Sequence, residues 1–307
     1  MECDCRSSNE DKSKWFKTIQ MDKQSFRYTS NSEAAENPPS NHLLFHRVPG
    51  LTTSFVRGDC LHILWVNGIY SHLLGSILHY LVYHDGPSRR QSKAPEERLS
   101  ISWTALQKVY GELRPPTRVT NLKLSMFVDV KQPHASYPTL SLKGGESRHF
   151  LPAMLEVCKS ILDPNIWQES CMLDCMKAMQ GLVDVYNSAD IIPTPAEFKE
   201  AMAFAKGFLD TYSFLNEWAL EEGKKLFHVV HKFHTFQHLV INSKQLNPRA
   251  CWCFANEHFV GRMSQLVFSI SSGVRSNRLS LKVGPKYRIL LHLLLSRENF
   301  SMQPDEN

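Results

Sequence analysis

The chain reads as an α+β protein that is predominantly α-helical, and two observations predict this. Apolar residues recur at helical spacing, with helix start and stop signals between them, over most of the sequence from Leu61 to Ile241. Extended patterning is limited to short stretches, between the Pro49-Gly50 turn and Gly58, over Tyr137–Lys143 and over Leu279–Val283. With 307 residues, 42% of them hydrophobic and 21% charged, the chain is long enough to bury a substantial core.

The elements follow in order. Residues 1 to about 40 carry little apolar periodicity and end in a polar run through Pro38-Pro39-Ser40, which predicts a disordered polar tail. The opening Met1-Glu2-Cys3-Asp4-Cys5 does not have the pattern of a signal peptide. The eight cysteines are scattered, mostly through apolar helical contexts, and predict free thiols in a reducing compartment. The expected location is therefore intracellular, nuclear or cytoplasmic.

A folded part is expected over residues 41–300, with a short disordered end at 301–307. Its first long element is an apolar helix from Leu61 to Tyr83. That run is long enough to raise a membrane span. His62, Asn67, Ser71, His72, Ser76 and His79 within it would be costly in hydrocarbon, so a buried core helix is expected and no membrane. Gly58 and Asp59 stand at its entrance, with His62 three residues after Asp59 on the same helical face. Asp59 has two readings: an N-cap accepting amide hydrogen bonds, or half of a functional Asp-x-x-His pair.

A polar surface loop is expected up to Arg98, then an amphipathic helix from Ser100 to Leu113 stopped by Pro115-Pro116. The extended Tyr137–Lys143 stretch ends at Gly144-Gly145, which predicts a turn. Helices then follow at Leu151–Leu162 and Ile166–Tyr186, and the Cys171, Met172, Cys175, Met176, Met179 stripe of the second predicts core packing. Thr194-Pro195-Ala196-Glu197 combines a cap, proline at the first helical position and a capping-box glutamate.

A further helix, Lys225 to Ile241, places His228, His231, His234 and His238 on roughly one stripe. A histidine stripe invites a zinc reading, but no carboxylate or cysteine stands at metal-ligand spacing among them. The expectation is helix-crossing imidazoles and no metal site, with Lys232 making the stripe basic when they protonate.

Pro248 predicts the next helix start, and Glu257 sits there among Trp252, Phe254, Phe259 and Val260. It reads either as a surface glutamate or as a carboxylate held against a core wall for a metal. From His258 to Arg297 the chain has seven basic residues and no acidic one. Arg262, Arg275, Arg278, Lys282, Lys286 and Arg288 are the candidate nucleic-acid contacts, Lys282 pointing outward from a strand at Leu279–Val283. The formal net charge of +5 suits a polyanionic partner.

Asp59-x-x-His62 ahead of Gly68, followed far downstream by Trp252-x-x-x-x-Glu257, resembles the pattern of CACTA-type and hAT-like DNA transposases. The resemblance covers about residues 42–295 and extends to Leu122–Phe127, Leu142-Lys143-Gly144 and Asn247–Trp252. It implies an RNase H-like core interrupted by an all-helical insertion, here about residues 145–245. It also implies two-metal phosphoryl transfer on DNA, with two aspartates and a glutamate holding Mg2+.

Glu257 matches the third acid of that set, and Asp59 and His62 the auxiliary pair. The two earlier aspartates have no counterpart, since only Asp4, Asp11 and Asp22 precede Asp59, all in polar tail sequence. The resemblance therefore implies an incomplete RNase H-like core with a relic site, no resident cofactor, and Mg2+ only if activity remains. The expected function is a catalytically inactive, transposase-derived domain retaining DNA binding, with a homo-oligomer or protein partner open. The alternative is a non-enzymatic helical interaction domain, and a metal hydrolase using the histidine stripe and Glu257 ranks behind both.

Overall fold

The computed structural model describes residues 58–84, 94–271, 273, 278, 281–289 and 292, apart from the side chains of residues 255–258. The expected tail at 1–40, the C-terminal end at 301–307 and Arg275 lie outside the described residues. The chain divides into two units, residues 1–252 and 253–307. Every regular element among the described residues is helical. The predominantly α expectation therefore holds for them, and they contain no strand from which the sheet of an RNase H-like core could be built.

The described part of the first unit begins at Gly58, and the carboxylate Oδ1 of Asp59 accepts the Leu61 N–H at 3.0 Å. A π turn follows over Leu61–Trp65, and then helix α1 over Ile69–Tyr83. The single long helix expected from the apolar run is thus two pieces. The break is at Asn67, which takes the left-handed conformation (φ 48°) that asparagine tolerates better than most residues. Gly68 follows because a Cβ there would lie 2.4 Å from the Ile63 carbonyl oxygen. Helix α1 is buried on nearly every side, as a central helix must be, with Ser71, Ser76 and His79 among its buried residues. The most apolar window of the Leu61–Tyr83 stretch is 83% buried inside the protein.

Helix α2 spans Pro95–Leu113, five residues longer at its start than expected. Pro95 at the first helical position and Glu96-Glu97 in the first turn are helix-start signals within what looked like loop composition. The earlier start places Arg98 where its Nη1 donates to the carbonyls of Val82 (3.1 Å) and His84 (3.4 Å), closing the end of α1.

The 137–143 stretch, expected to be extended, has no regular secondary structure and runs beside a helix and not in a sheet. Leu140 N–H donates to the Ser71 carbonyl of α1 at 2.9 Å, and Thr139 and Ser141 donate to Phe127 and Met126. Gly75 permits this crossing, since a Cβ there would meet Leu140 N at 2.8 Å and Pro138 O at 2.9 Å, both backbone atoms. Gly75→Ala is therefore expected to cost about 1–3 kcal/mol by forcing main chain apart. Gly111→Ala on α2, with nothing within 4 Å, should stabilise by roughly 0.5–1 kcal/mol. Urea unfolding of the two variants checks the opposite signs.

Gly144-Gly145 does not form the expected turn. The pair opens helix α3, Gly144–Ile161, with the Lys143 N–H donating to Glu146 Oε2 at 3.2 Å and Pro152 inside the helix. Helix α4, Trp167–Ser188, starts after Asp163 accepts the Asn165 N–H. It carries the expected buried stripe of Met172, Cys175, Met176 and Met179, with Cys171 at its edge. Its first turn holds Glu169, fully buried between the Tyr80 hydroxyl (2.7 Å) and the Asp163 N–H (2.7 Å).

Helix α5, Pro195–Glu221, begins with the reciprocal cap read from the sequence. Glu197 N–H donates to Thr194 Oγ1 at 3.3 Å, and Thr194 N–H donates to Glu197 Oε2 at 2.7 Å. Helices α4 and α5 lie close together where Gly181 admits the Phe204 ring, which would stand 2.6 Å from a Cβ.

Gly223 (φ 66°) ends α5. The chain then stays non-helical through Leu226-Phe227, and α6 runs His231–Asn242, six residues later than expected. The cause is the anchoring of Phe227: its N–H donates to Ser76 Oγ at 2.8 Å and its carbonyl accepts from Asn216 Nδ2 at 2.8 Å. Those two bonds hold it at φ 53°, which a helix cannot use. Pro248 opens only a single 3-10 turn, Pro248–Cys251, in place of the longer helix expected there. The turn is tied down by Asn247, whose Nδ2 donates among the carbonyls of Tyr186, Ala189 and Asp190 at the end of α4.

In the second unit helix α7 spans Phe254–Ser271, and residues 281–289 are also helical, with the Phe259 and Tyr287 rings 5.8 Å apart. The strand expected at Leu279–Val283 is thus corrected over its described part, Leu281–Val283. Alternation across five residues is too short to separate a period of 2 from one of 3.6. The helix is already running before Pro285.

Candidate functional site

Asp59 and His62 meet as the Asp-x-x-His spacing predicts. The Asp59 carboxylate bonds the Leu61 amide with one oxygen and contacts His62 Nδ1 with the other. Beside them stands Lys232 of α6, which sequence reading had treated only as the basic member of the histidine stripe. Its ammonium donates to the carbonyls of His62 (2.7 Å), Val66 (3.0 Å) and Asn67 (2.8 Å). These are the carbonyls that a helix end leaves without an intrahelical partner. Burial pulls the Lys232 ammonium below its ordinary pKa and Asp59 pushes it back up. The Asp59 entrance and the Lys232 exit thus cap the two ends of one short π turn.

Cys60 follows Asp59 directly and is buried, and burial raises its thiol pKa, so it is held as a thiol. Glu257 lies on α7 in the second unit, and its side chain is outside the described residues. Asp59 and His62 lie in the first unit. Among the described residues no three His, Cys, Asp or Glu side chains gather as a metal-holding group.

The expected histidine stripe separates into two groups. His228 precedes α6, stacks on Tyr137 at 4.1 Å and stands edge-on to His72 at 5.8 Å. His231, His234 and His238 remain on α6, with His234 and His238 in Nε2···Nε2 contact at 3.0 Å. Burial pulls His234 down to about 4, helped by His238 and His231, and lowers His238 as well. His72 is also held at about 4 by burial, with His228 and Lys232 adding to the shift. Burial thus favours the neutral form of His72, His228, His234 and His238, and the Lys232 ammonium is bound to carbonyls.

A second cluster was missed from the sequence. Arg148 of α3 lies 4.6 Å over the Trp252 ring and 5.8 Å over Trp65, and Arg249 lies 5.4 Å over Trp252. Both reach Asn187 on α4: Arg148 Nη2 donates to its Oδ1 (3.0 Å) and Arg249 Nη1 to its carbonyl (2.8 Å). Burial lowers the Arg148 pKa, and the like charge of Arg249 adds to that. Stacking on indole returns part of this cost. The Trp252 match to a transposase motif is therefore, in this fold, a tryptophan packed under two guanidiniums. Nothing at the level of sequence spacing brings residues 65, 148, 187, 249 and 252 together.

The candidate nucleic-acid contacts are in the second unit. Arg262, Arg278, Lys282, Lys286 and Arg288 are exposed, and Lys282 and Lys286 stand one helical turn apart on the 281–289 helix. The helical conformation places these two on one face, where the expected strand would have set alternate residues outward. No protein-family model, curated protein or solved structure matches the chain.

Proposed function

We propose that the chain is a non-catalytic, transposase-derived helical protein that binds DNA through the basic face of its second unit. The observation that carries this reading is the exposure of Arg278, Lys282, Lys286 and Arg288 in a region from His258 to Arg297 without a carboxylate. Exposed cations of this kind neutralise phosphates and release counterions, which favours binding without sequence readout. The RNase H-like ancestry belongs to the same proposal, with the helices between about 145 and 245 as the former insertion. The non-catalytic part rests on Asp59, which caps a helical turn with one carboxylate oxygen and contacts His62 with the other.

Fluorescence anisotropy of labelled duplex DNA across a salt series tests it. The wild-type chain should bind at low salt and lose affinity steeply as salt rises. In Lys282→Ala/Lys286→Ala the slope of log K against log salt should flatten by about 0.9 for each phosphate contact removed. Absence of binding at low salt overturns the DNA reading. Mg2+-dependent cleavage that Glu257→Gln abolishes overturns the non-catalytic one.

The alternative, a non-enzymatic protein-interaction domain, is favoured by one observation. Phe268 (82% exposed), Leu281 (74%) and Ile289 (60%) present large apolar side chains to solvent in the same unit. Concentration-dependent association that ignores salt, without DNA binding, selects that reading.

A further inference from the structure

We propose that His234 and His238 of α6 form a two-nitrogen chelate for a divalent transition-metal ion that prefers square-planar or octahedral coordination. The proposal rests on the 3.0 Å Nε2···Nε2 distance. With metal–nitrogen bonds of roughly 2.0–2.1 Å, that bite subtends roughly 91–97° at the ion. This is the angle between neighbouring ligands in square-planar or octahedral geometry, as taken by Ni2+ or Cu2+. A tetrahedral ion such as Zn2+ would need the nitrogens roughly 3.4 Å apart at the same bond lengths.

The pair is also positioned to hold this geometry. Residues four apart on a helix lie on one face, and the rings stand 4.6 Å apart at 89°, so the nitrogens converge while the ring faces avoid each other. The opposite face of α6 is locked by buried Phe233, Phe236 and Val240. Both rings are half-buried, which limits the positions that they can take. Without an ion, one Nε2–H donates to the other Nε2. With an ion, that ring passes to its Nδ1–H tautomer, both Nε2 lone pairs point at the metal, and no proton is released. His231, one turn earlier with its ring centre 6.0 Å from that of His234, lies outside the bite.

Titration calorimetry of the full chain with NiCl2, and separately with ZnCl2, tests this. Ni2+ is the probe because Cu2+ would be reduced by the free thiols. The wild-type chain should bind one more Ni2+ than His234→Gln or His238→Gln, and each variant should lower affinity at that site by more than about tenfold. His231→Ala should leave the site intact, and Zn2+ should bind it more weakly than Ni2+. Glutamine keeps a hydrogen-bonding side chain on the helix, and a circular dichroism spectrum matching wild type confirms that the variants are folded. Equal Ni2+ uptake by wild type and His238→Gln overturns the proposal and leaves an ordinary imidazole–imidazole hydrogen bond. Tighter binding of Zn2+ than of Ni2+ at the site overturns the assigned geometry.

Discussion

Replacing Phe208 with alanine is expected to destabilise the first unit by about 3–5 kcal/mol. Phe208 is fully buried on α5 and joins three aromatic neighbours. Its ring lies 5.5 Å from Tyr212 on the same helix, 6.1 Å and parallel to Phe233, and 5.8 Å edge-on to Phe236. Removing it leaves a cavity between α5 and α6 whose walls are rings already fixed by one another, so little collapse can refill it. The loss should appear as a fall in melting temperature on the order of 10 °C, read by circular dichroism. Phe214→Ala on the same helix, at a residue 52% exposed, should change stability by no more than about 0.5 kcal/mol. Equal effects from the two would contradict the burial assigned to α5.

The second large effect is expected at Lys232. Lys232→Met keeps most of the aliphatic stem and removes a charged donor from three carbonyls at 2.7, 3.0 and 2.8 Å. Hydrogen bonds from a charged group contribute roughly 1.5–3 kcal/mol, and carbonyls released at this partly exposed site recover some hydration. The net cost should be about 2–3 kcal/mol in equilibrium denaturation. Lys206→Met removes an ammonium paired with Asp210 on the surface of α5 and should cost less than about 1 kcal/mol. If Lys232 served only as surface charge, the two lysines would behave alike.

Local chemistry was legible in the sequence, and assembly was not. The Thr194–Glu197 cap, the buried methionine and cysteine stripe of α4 and the Asp59–His62 pairing each depend on residues within a few positions of one another. The mistaken boundaries share a different cause. The start of α6 is displaced by Ser76 and Asn216, which hold Phe227 from 151 and 11 residues away. The break after the π turn depends on Lys232, which is 165 residues or more from the carbonyls it binds. Periodicity cannot register partners that remote.

The same limit applies to the sites. The histidine stripe was visible as a spacing of three, three and four, but which two rings face each other depended on where α6 begins. The transposase-like spacing of Asp59, His62, Trp252 and Glu257 is a sequence pattern. Of these, Asp59 and His62 close on a local turn and Trp252 packs under arginines. The strand expected at Leu279–Val283 became helix over its described part, which moved Lys282 from an alternating edge onto one face with Lys286.

The connectivity of the first unit has a kinetic consequence. Helices α4 and α5 are joined by six residues and lie against each other, so their pairing closes only a short loop and can form early. The bonds that fasten the π turn and α1 to the chain beyond α5 join residues 151 to 170 positions apart. They must wait for most of the chain to be in place. Substitutions at Gly181, inside the α4–α5 pair, should therefore slow refolding. Lys232→Met should leave the refolding rate nearly unchanged and speed unfolding, because the turn that it caps closes last.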